Sequence, residues 1–471
     1  MADGCLLFTF RPSMSSSPVS TPLALSEVLA ALSSALDLTE GQSLGHSARS
    51  CLIGMRLAER LDLSADQRHA LFYALLLKDA GCSSNAGRLA SLFQADDMLL
   101  KREHKLIDWT RTLPAFGYAV RLAAPDGTLF ERVRRVLEIA LRKDEVGRGM
   151  IEIRCERGAE IVRMLGLPEA TAEAVRNLDE HWDGKGHPKG LVGEQIPLLG
   201  RILCLAQTVD VFYCAYGLEA LTTMLNNRRR RWFDPELVFH LAGFLGDSEF
   251  WESLRTENPA ALTAEYEPPD RIFEATDHRL DAVTRAFARV IDAKSAWTAH
   301  HSERVARLAQ SMARALGVAP DQVRDLVRAA LLHDIGMLGV SSRIIDKPAA
   351  LTAEEWKDVR RHPEFTLAIL GRVTPLRQVA EIAASHHEHL DGTGYPRGLV
   401  GGGIGLPARI LAVATRAEAM LAERPHRRAM SWDEMLRELA PLAGSKIDER
   451  CYSALAALGK DAMTERRKEV R

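Results

Sequence analysis

The sequence predicts an all-α protein built from two helical bundles in tandem, and three observations support this prediction. Apolar residues recur at positions i, i+3, i+4 and i+7 in segments such as 302–317 and 322–333, which gives a helix one apolar face. Alternating strand patterns are scarce, and Ala, Leu, Arg and Glu are abundant, which favours helices. Finally, one motif pattern occurs twice along the chain, which indicates an internal repeat.

The repeat is clearest in segments 184–203 and 392–411, which read GKGHPKGLVG and GTGYPRGLVG at their starts and lie 208 residues apart. Upstream, His46 and Asp79 of the first copy each align with the same residue type 255 positions later. The two spacings differ by 255 − 208 = 47 residues, so the first copy carries a net insertion of about that size.

Domain bounds follow from the repeat and from the helix breakers between its copies. Pro268 and Pro269 cannot continue a helix, which places the boundary near them. The predicted segments are a flexible leader at 1–24, a degenerate first copy at 25–262 with an insertion near 85–135, a linker at 263–277, a second copy at 278–462 and a charged tail at 463–471.

Composition excludes some classes of protein. The net charge of −2 leaves no excess of basic residues for DNA binding. The sequence contains no run of 18 apolar residues, so no membrane span is predicted. Seven cysteines without a CxxC pair indicate reduced thiols in the cytoplasm. We expect the four arginines at 228–231 to form a solvated loop, although such a run can also bind an anionic ligand or nucleic acid.

Histidines and one aspartate of the second copy form a candidate metal site. A lone histidine on an apolar helix face is most often a core residue. Here, however, five histidines and one aspartate in four segments precede the motif DGTGYP. Imidazoles and carboxylates are the ligands expected for Fe, Mn, Zn or Co, and an aspartate beside a histidine can bridge two ions. The candidate ligands are His301, His333, Asp334, His362, His386 and His387.

These motifs, HHSERV, LLHDIG, HPEF, SHHEHLDGTGYPRGL and ARIL, resemble the HD-GYP subgroup of the HD-domain metal phosphohydrolases over about 170 residues. The resemblance implies an all-α bundle with a di- or trinuclear metal centre. It also implies hydrolysis of cyclic di-GMP or a related cyclic dinucleotide. By resemblance the six residues fall on the family's metal ligands, with Asp334 as the bridging carboxylate and Asp334 and His333 as the catalytic pair.

Basic residues near these motifs are candidates for substrate contact, because the planar guanidinium of arginine suits phosphate oxygens. A solvated charged loop is the alternative for each arginine. The candidate substrate-binding residues are Lys347, Tyr395, Arg397, Arg424 and Arg427.

Two departures from the family pattern weaken the expected activity. Thr415 stands where the resemblance implies an aspartate ligand, so one metal position is expected to bind less tightly. Glu418, at i+3 on the same helix, is a candidate substitute ligand. Met337 stands where the family commonly has a lysine, and losing such a charge costs a few kcal/mol of barrier.

The first copy departs further and is expected to bind no metal. His46 and Asp79 remain, but Lys78 and Arg154 occupy positions of former ligands. Such cations repel a metal ion and pair with carboxylates instead. Leu178, Asp179 and Gln207 replace the remaining ligands.

We therefore predict a metal-dependent phosphodiesterase with two divalent ions, Fe, Mn or similar, one of them weakly held. The alternative is a catalytically impaired pseudo-enzyme that binds a nucleotide or a protein in a signalling pathway. A homodimer or a signalling protein is the expected macromolecular partner.

Overall fold

The computed structural model describes residues 24–141, 143–256, 258–269, 272–425 and 427–460. Regular structure in these ranges is helical and β pairing is limited to isolated bridges, which confirms the all-α prediction. The predicted leader, except Ala24, and the predicted tail lie outside the described residues. The other predicted domain bounds stay predictions.

The first half of the chain is a helical bundle with a group of shorter helices inserted into it. Its helices are α1 Leu25–Thr39, α2 His46–Arg60, α3 Ala65–Leu77, α4 Ala86–Phe93, α5 Asp97–Leu106, α6 Thr112–Leu122, α7 Leu129–Leu141, α8 Lys143–Met164, α9 Glu169–Arg176, α10 Leu198–Arg228, α11 Pro235–Ala242, α12 Ser248–Ser253 and α13 Pro259–Thr263. The segment near 85–135 contains α4 to α6 and the first part of α7, and its identity as an insertion stays a prediction.

The second half, which the sequence predicts to be the more compact copy, is also helical. Its helices are α14 Asp277–Asp292, α15 His301–Ala315, α16 Pro320–Leu332, α17 Ser342–Ile345, α18 Ala353–Val359, α19 His362–Leu370, α20 Arg377–Ala384, α21 Leu406–Leu421, α22 Trp432–Leu439 and α23 Glu449–Leu458. A 3₁₀ turn at Ile335–Gly339 follows α16.

One apolar core runs through both copies, so they pack as a continuous body. The segment predicted as a linker is part of this packing. Its Glu267 accepts a hydrogen bond of 2.7 Å from Tyr73 and a second one from Ser26 of α1. The main chain of Phe273 accepts a hydrogen bond from Leu25 at 2.6 Å. These buried polar contacts hold the segment against α1 and α3 of the first copy.

The arginine run at 228–231 is not the solvated loop that the sequence predicted. Arg228 is 4% exposed and lies 4.0 Å from the centre of the Trp232 ring. It donates hydrogen bonds to the main chain at the end of α5, and Arg231 pairs with Asp108 at 2.8 Å. These arginines hold the insertion against α10, whereas Arg229 and Arg230 are exposed.

Glycine is required where two helices meet at each candidate site. A Cβ on Gly336 would overlap the main-chain carbonyl of His362, and a Cβ on Gly81 would overlap that of Arg154. The absence of a side chain lets the start of α19 approach the residues that follow α16. This approach brings His362 to the His333–Asp334 pair.

Among the described residues, one helix, Leu198–Arg228, is long and apolar enough to cross a membrane by length and composition. Its apolar stretch is 72% buried inside the protein, as a core helix would be, and it bends at Gly217, whose φ is 77°. The six cysteines in the described ranges are free thiols, as predicted. The cytoplasmic location stays a prediction.

Candidate metal centre

Helix ends supply the candidate ligands of the second copy. His301 is the first residue of α15, and His362 is the first residue of α19. His333 and Asp334 directly follow α16, and His386 and His387 lie just beyond the end of α20. The four helices converge around Asp334. Asp334 and His387 are half-buried, and the other four side chains are buried.

The Asp334 carboxylate divides the histidines into two groups. Its Oδ2 lies 3.3 Å from Nε2 of His333 and 3.6 Å from Nε2 of His301. Its Oδ1 lies 3.4 Å from Nε2 of His362 and 3.7 Å from Nε2 of His386. Each oxygen therefore faces one pair of imidazoles, which is the arrangement of a carboxylate that bridges two ions.

Main-chain carbonyls orient three of the imidazoles. Nδ1 of His333 donates to Ala330 O at 2.8 Å, and Nδ1 of His362 donates to the carbonyl three residues earlier at 2.7 Å. His386 does the same at 2.6 Å. These bonds leave each Nε2 lone pair directed to the centre, as in known metal–histidine sites. Nε2 of His333 is buried without a hydrogen-bond partner among the described residues, which fits a position for a cation.

The charge states also suit metal binding. Burial would raise the pKa of Asp334, but His333 and the facing histidines hold it well below its usual range. Burial and the neighbouring histidines lower the pKa of His386 and His387, and burial lowers that of His362. These three imidazoles are therefore neutral near pH 7. Burial opposes protonation of His333, but Asp334 raises its pKa overall.

Glu418 binds the outer side of His301. Its carboxylate accepts from Nδ1 of His301 and from Arg304, and it is fully buried. Glu418 therefore contacts the ring nitrogen that points away from Asp334. A substitute ligand, as predicted from the sequence, would instead lie on the side of His301 that faces Asp334. Thr415 Oγ1 is buried without a hydrogen-bond partner in the described part of the chain. Met337 is half-buried in the turn after Asp334.

Tyr395 of the GYP loop, which we define as Gly394–Pro396, covers His387. The two rings stack with centroids 4.6 Å apart and planes 19° apart. Arg360 lies 5.4 Å from the centre of the Tyr395 ring. Half-buried Arg416 contacts His389 at 2.8 Å and leaves Nη1 without a partner among the described residues. Sequence analysis missed both arginines because neither lies in a recognised motif.

The other predicted substrate residues have partners of their own. Lys347 pairs with Glu355 at 2.6 Å. Arg397 contacts Glu381 and Ser385 at 2.7 Å. The structure places Arg424 4.0 Å from Glu418, close to His301. Arg427 donates to three main-chain carbonyls at the end of α21 and around it.

Glu388 is a third residue that sequence analysis missed. Its carboxylate accepts main-chain hydrogen bonds from Arg397 at 2.8 Å and from Leu399 at 2.9 Å, so it fastens the GYP loop to the histidine segment. Glu180 makes the same pair of contacts in the first copy, 208 residues earlier. A glutamate at this position in both repeats was the signal that could have identified it.

Lysines occupy the corresponding space of the first copy. Lys78 pairs with Asp79, and Lys105 from α5 of the insertion lies 3.4 Å from Asp79 and 2.8 Å from Glu40. Arg154 pairs with Asp179. Although Glu40, Asp79 and Cys82 lie close enough together to hold an ion, the lysine ammonium groups already neutralise both carboxylates.

The comparisons with known proteins agree with this geometry. The family model described as HD domain matches residues 139–237 and 285–451, more than half of the chain. The chain therefore belongs to the HD-domain family, and its resemblance to the HD-GYP type is confirmed.

Two enzymes of Vibrio cholerae and one of Thermotoga maritima illustrate its relatives. A protein named 3'3'-cGAMP-specific phosphodiesterase 3 of V. cholerae is 40% identical over 92% of this chain and 94% of its own length. The enzyme numbered 1 is 35% identical over 64% of this chain and 72% of its own length. A cyclic di-GMP phosphodiesterase of T. maritima is 37% identical over 36% of this chain and 47% of its own.

A solved structure also matches nearly the whole chain. The crystal structure of a cyclic GMP-AMP specific phosphodiesterase of V. cholerae is similar with a TM-score of 0.65 and 35% identity. The match covers 96% of this chain and all of that one.

Proposed function

We propose that the second copy is a metal-dependent phosphodiesterase that hydrolyses a cyclic dinucleotide. The division of the Asp334 oxygens between two pairs of imidazoles carries this proposal, because it supplies two adjacent cation positions. The relatives that span most of the chain are named as phosphodiesterases, and they give no support to the alternative of a pseudo-enzyme.

The two groups of candidate ligands would each hold one divalent ion. His301 and His333 share Asp334 Oδ2, and His362 and His386 lie beside Oδ1. His387 lies close to His362 and His386 and completes the second group. Two bound divalent ions, Fe, Mn or similar, would polarise a phosphoryl group and lower the pKa of a water nucleophile. The lowered pKa values of His362, His386 and His387 keep these imidazoles neutral near pH 7, so their lone pairs are available. The main-chain carbonyls behind His333, His362 and His386 prevent those rings from turning.

The rim of the centre suits a nucleotide phosphodiester. The Tyr395 ring offers a flat surface, and Arg360 and Arg416 add positive charge beside it. Burial and nearby Asp334 raise the pKa of Tyr395, so its phenol is neutral and can donate a hydrogen bond. We propose 3'3'-cGAMP as the first substrate to test because two relatives that match 92% and 64% of this chain are named for it.

The direct test compares Asp334 with Asp79, the residue at the corresponding position of the first copy. Asp334→Asn keeps the side-chain shape but removes the bridging charge, so we expect metal content and hydrolysis of 3'3'-cGAMP, cyclic di-GMP and cyclic di-AMP to fall at least 100-fold. Asp79→Asn in the first copy should leave both unchanged, with melting temperature recorded as a check on folding. Loss of activity in both variants, or in neither, would contradict the proposal.

Thr415 decides how well the ion beside His301 is held. We propose that its hydroxyl leaves this position weaker than the one at His362, and that Glu418 acts on the outer side of His301 rather than as a ligand. Thr415→Asp should therefore raise the affinity for the second equivalent of Mn²⁺ at least tenfold, while Gln207→Asp should not. Tight binding of two equivalents by the unmodified protein would disprove this assignment.

A further inference from the structure

A cavity of about 240 Å³ lies in the first copy, where the second copy has its metal centre. Arg154, Asp179 and Gln207 line it, and these residues align with three positions of the metal centre at the spacing of 208 residues. Residues of α5, α6 and α7 close its other side. Residues of the predicted insertion therefore line a cavity of different chemistry at the place that corresponds to the metal centre of the second copy.

Flat aromatic side chains and uncommitted polar atoms meet in this cavity. Trp109, Tyr118 and Trp232 form part of its wall. The Trp232 ring already stacks on His181 and faces Arg228, and the Trp109 ring stacks on His104 and His187, so both tryptophans present their edges to the cavity. Gln207 Oε1 and Nδ1 of His181 have no hydrogen-bond partner among the described residues, although these residues are only 7% and 2% exposed. A buried polar atom without a partner is costly, so a ligand that bonds both atoms would be favoured. An aromatic-edged cavity in which an amide oxygen and an imidazole nitrogen both lack partners suits a heteroaromatic base that hydrogen-bonds to them.

Charge and size narrow the class of ligand. The ionised side chains of the lining are Lys101, Lys105, Arg154, Glu40 and Asp179. The adjacent pair Lys78–Asp79 adds no net charge, so one positive charge remains. Arg154 also keeps its Nε without a hydrogen-bond partner in the described ranges. The volume is below the range of roughly 300–1,000 Å³ that drug-sized ligands fill, which favours one nucleotide unit over two.

We propose that this cavity binds a purine mononucleotide, with the base hydrogen-bonded to Gln207 and His181 at the tryptophan edges and the phosphate toward Arg154 and Lys105. The site is separate from the metal centre, and the proposal does not depend on the proposed activity. It assigns the degenerate copy a ligand-binding role.

Tryptophan fluorescence and calorimetry of the full chain test this site, because Trp109 and Trp232 line it. We would use the Asp334→Asn background, so that binding at the metal centre contributes little, and titrate GMP, AMP, guanosine, adenosine and inorganic phosphate. One equivalent of GMP or AMP should bind at least ten times more tightly than the nucleosides or phosphate. If the nucleosides bind as tightly as the nucleotides, the cavity does not recognise the phosphate, and the proposal fails. If inorganic phosphate binds as tightly as the nucleotides, the cavity does not recognise the base, and the proposal also fails.

Variants locate the binding. Ala119→Leu should fill the cavity and Gln207→Leu should remove the amide, and each should weaken binding at least tenfold. Thr222→Leu, at an exposed position of the same helix as Gln207, should leave binding unchanged. Absence of binding at millimolar mononucleotide, or binding that survives Ala119→Leu, would overturn the proposal.

A separate observation concerns the outer side of the insertion. Apolar residues at i, i+3 and i+4 spacing on α6 and α7 are largely exposed, and we call them the insertion face. They are Leu113 at 83%, Phe116 at 57%, Val120 at 43%, Leu129 at 79%, Phe130 at 76%, Val133 at 52%, Leu137 at 59% and Leu141 at 87%. Contiguous apolar patches of more than a few hundred Å² mark interaction sites.

We infer that the insertion face pairs with the same face of a second copy of this chain. Each of the eight side chains exposes between 43% and 87% of its surface, and together they offer an area on the order of the roughly 800 Å² that each partner of a standard interface buries. An antiparallel helix pair meeting its symmetry mate forms a four-helix bundle, and a two-fold axis needs a self-complementary patch. The charged residues Arg134 and Glu138 are paired with each other outside the stripe.

Sedimentation velocity or light scattering at micromolar concentration tests this interface. The unmodified chain should be dimeric, and Leu137→Glu and Phe130→Glu should each yield monomers of unchanged helical content. Phe239→Glu replaces an equally exposed apolar residue on α11 and should leave the dimer intact. A monomeric unmodified chain, or a dimer that persists in both insertion-face variants, would overturn the inference.

Discussion

The buried Glu418 carboxylate hydrogen-bonds Nδ1 of His301, the ring nitrogen opposite the one that faces Asp334. Asp210 contacts Nδ1 of His46 at 2.6 Å in the first copy, 208 residues before Glu418. Arg304 donates a hydrogen bond to Glu418, and Arg49 donates one to Asp210, so each carboxylate joins a histidine to an arginine. The same group of three therefore occurs in both repeats, beside a candidate metal position in only one of them.

This relationship predicts the effect of Glu418→Gln. A carboxylate behind a histidine fixes its tautomer and raises its basicity, and loss of such a partner typically costs 10- to 100-fold in metal affinity or activity. We expect a loss of this size at the ion beside His301, measured by Mn²⁺ titration, with partial recovery of hydrolysis at excess Mn²⁺. Asp210→Asn breaks the same contact away from the metal centre. Equal loss of metal affinity in both variants would refute a local effect.

Glu388→Gln should loosen the GYP loop without removing metal. The substitution weakens two main-chain hydrogen bonds to a charged acceptor, which contribute about 1.5–3 kcal/mol each. We expect faster amide exchange at residues 394–400 and a higher KM for the cyclic dinucleotide, with metal content unchanged. Glu180→Gln loosens the corresponding loop of the first copy and should leave KM as it was. A loss of bound metal in Glu388→Gln would point to a different role.

The pH dependence of stability should depend on Glu40. Burial would raise its pKa, but Lys105 and Lys101 lower it from 4.5 to about 2. A lowered folded-state pKa means that ionised Glu40 stabilises the fold above about pH 4.5, and that this contribution is lost as the pH falls toward 2. We expect Glu40→Gln to cost roughly 3 kcal/mol at pH 7.

Urea unfolding at several pH values measures this contribution. The difference between Glu40→Gln and the unmodified protein should shrink as the pH falls from 4.5 toward 2. Glu354→Gln removes a carboxylate that is 85% exposed and should give a small difference at every pH. A gap for Glu40→Gln that stays constant down to pH 2.5 would contradict the lowered pKa.

The sequence predicted the fold and the six-residue centre because both depend on short motifs and on helical periodicity. Lys105 could not be predicted to reach Asp79, since it comes from an insertion that has no counterpart in the second copy. The burial of Arg228 was missed for the same reason, because its partners at the end of α5 lie in that insertion. By contrast, Glu388 and Glu418 were recoverable: each has a carboxylate at the matching position of the first copy.

The contact between α5 and the second copy gives a final prediction. Asp97, which is fully buried, lies 3.3 Å from Lys294 and accepts a main-chain hydrogen bond from Ser342 at 2.7 Å. Lys294 also donates to Leu338 O at 3.1 Å, in the turn that follows Asp334. Removing one partner of a buried ion pair leaves the other charge uncompensated and typically costs 3–5 kcal/mol.

Asp97→Asn should therefore destabilise the chain by about that amount, and calorimetry should resolve two transitions because the copies no longer unfold together. Arg343→Ala breaks a pair in which Asp126 is 70% exposed, also between the insertion and the second copy. Exposed pairs contribute less than about 1 kcal/mol, so this variant should retain a single transition. If the two variants melt alike, the buried pair does not couple the copies, and the shared apolar core alone accounts for their joint unfolding.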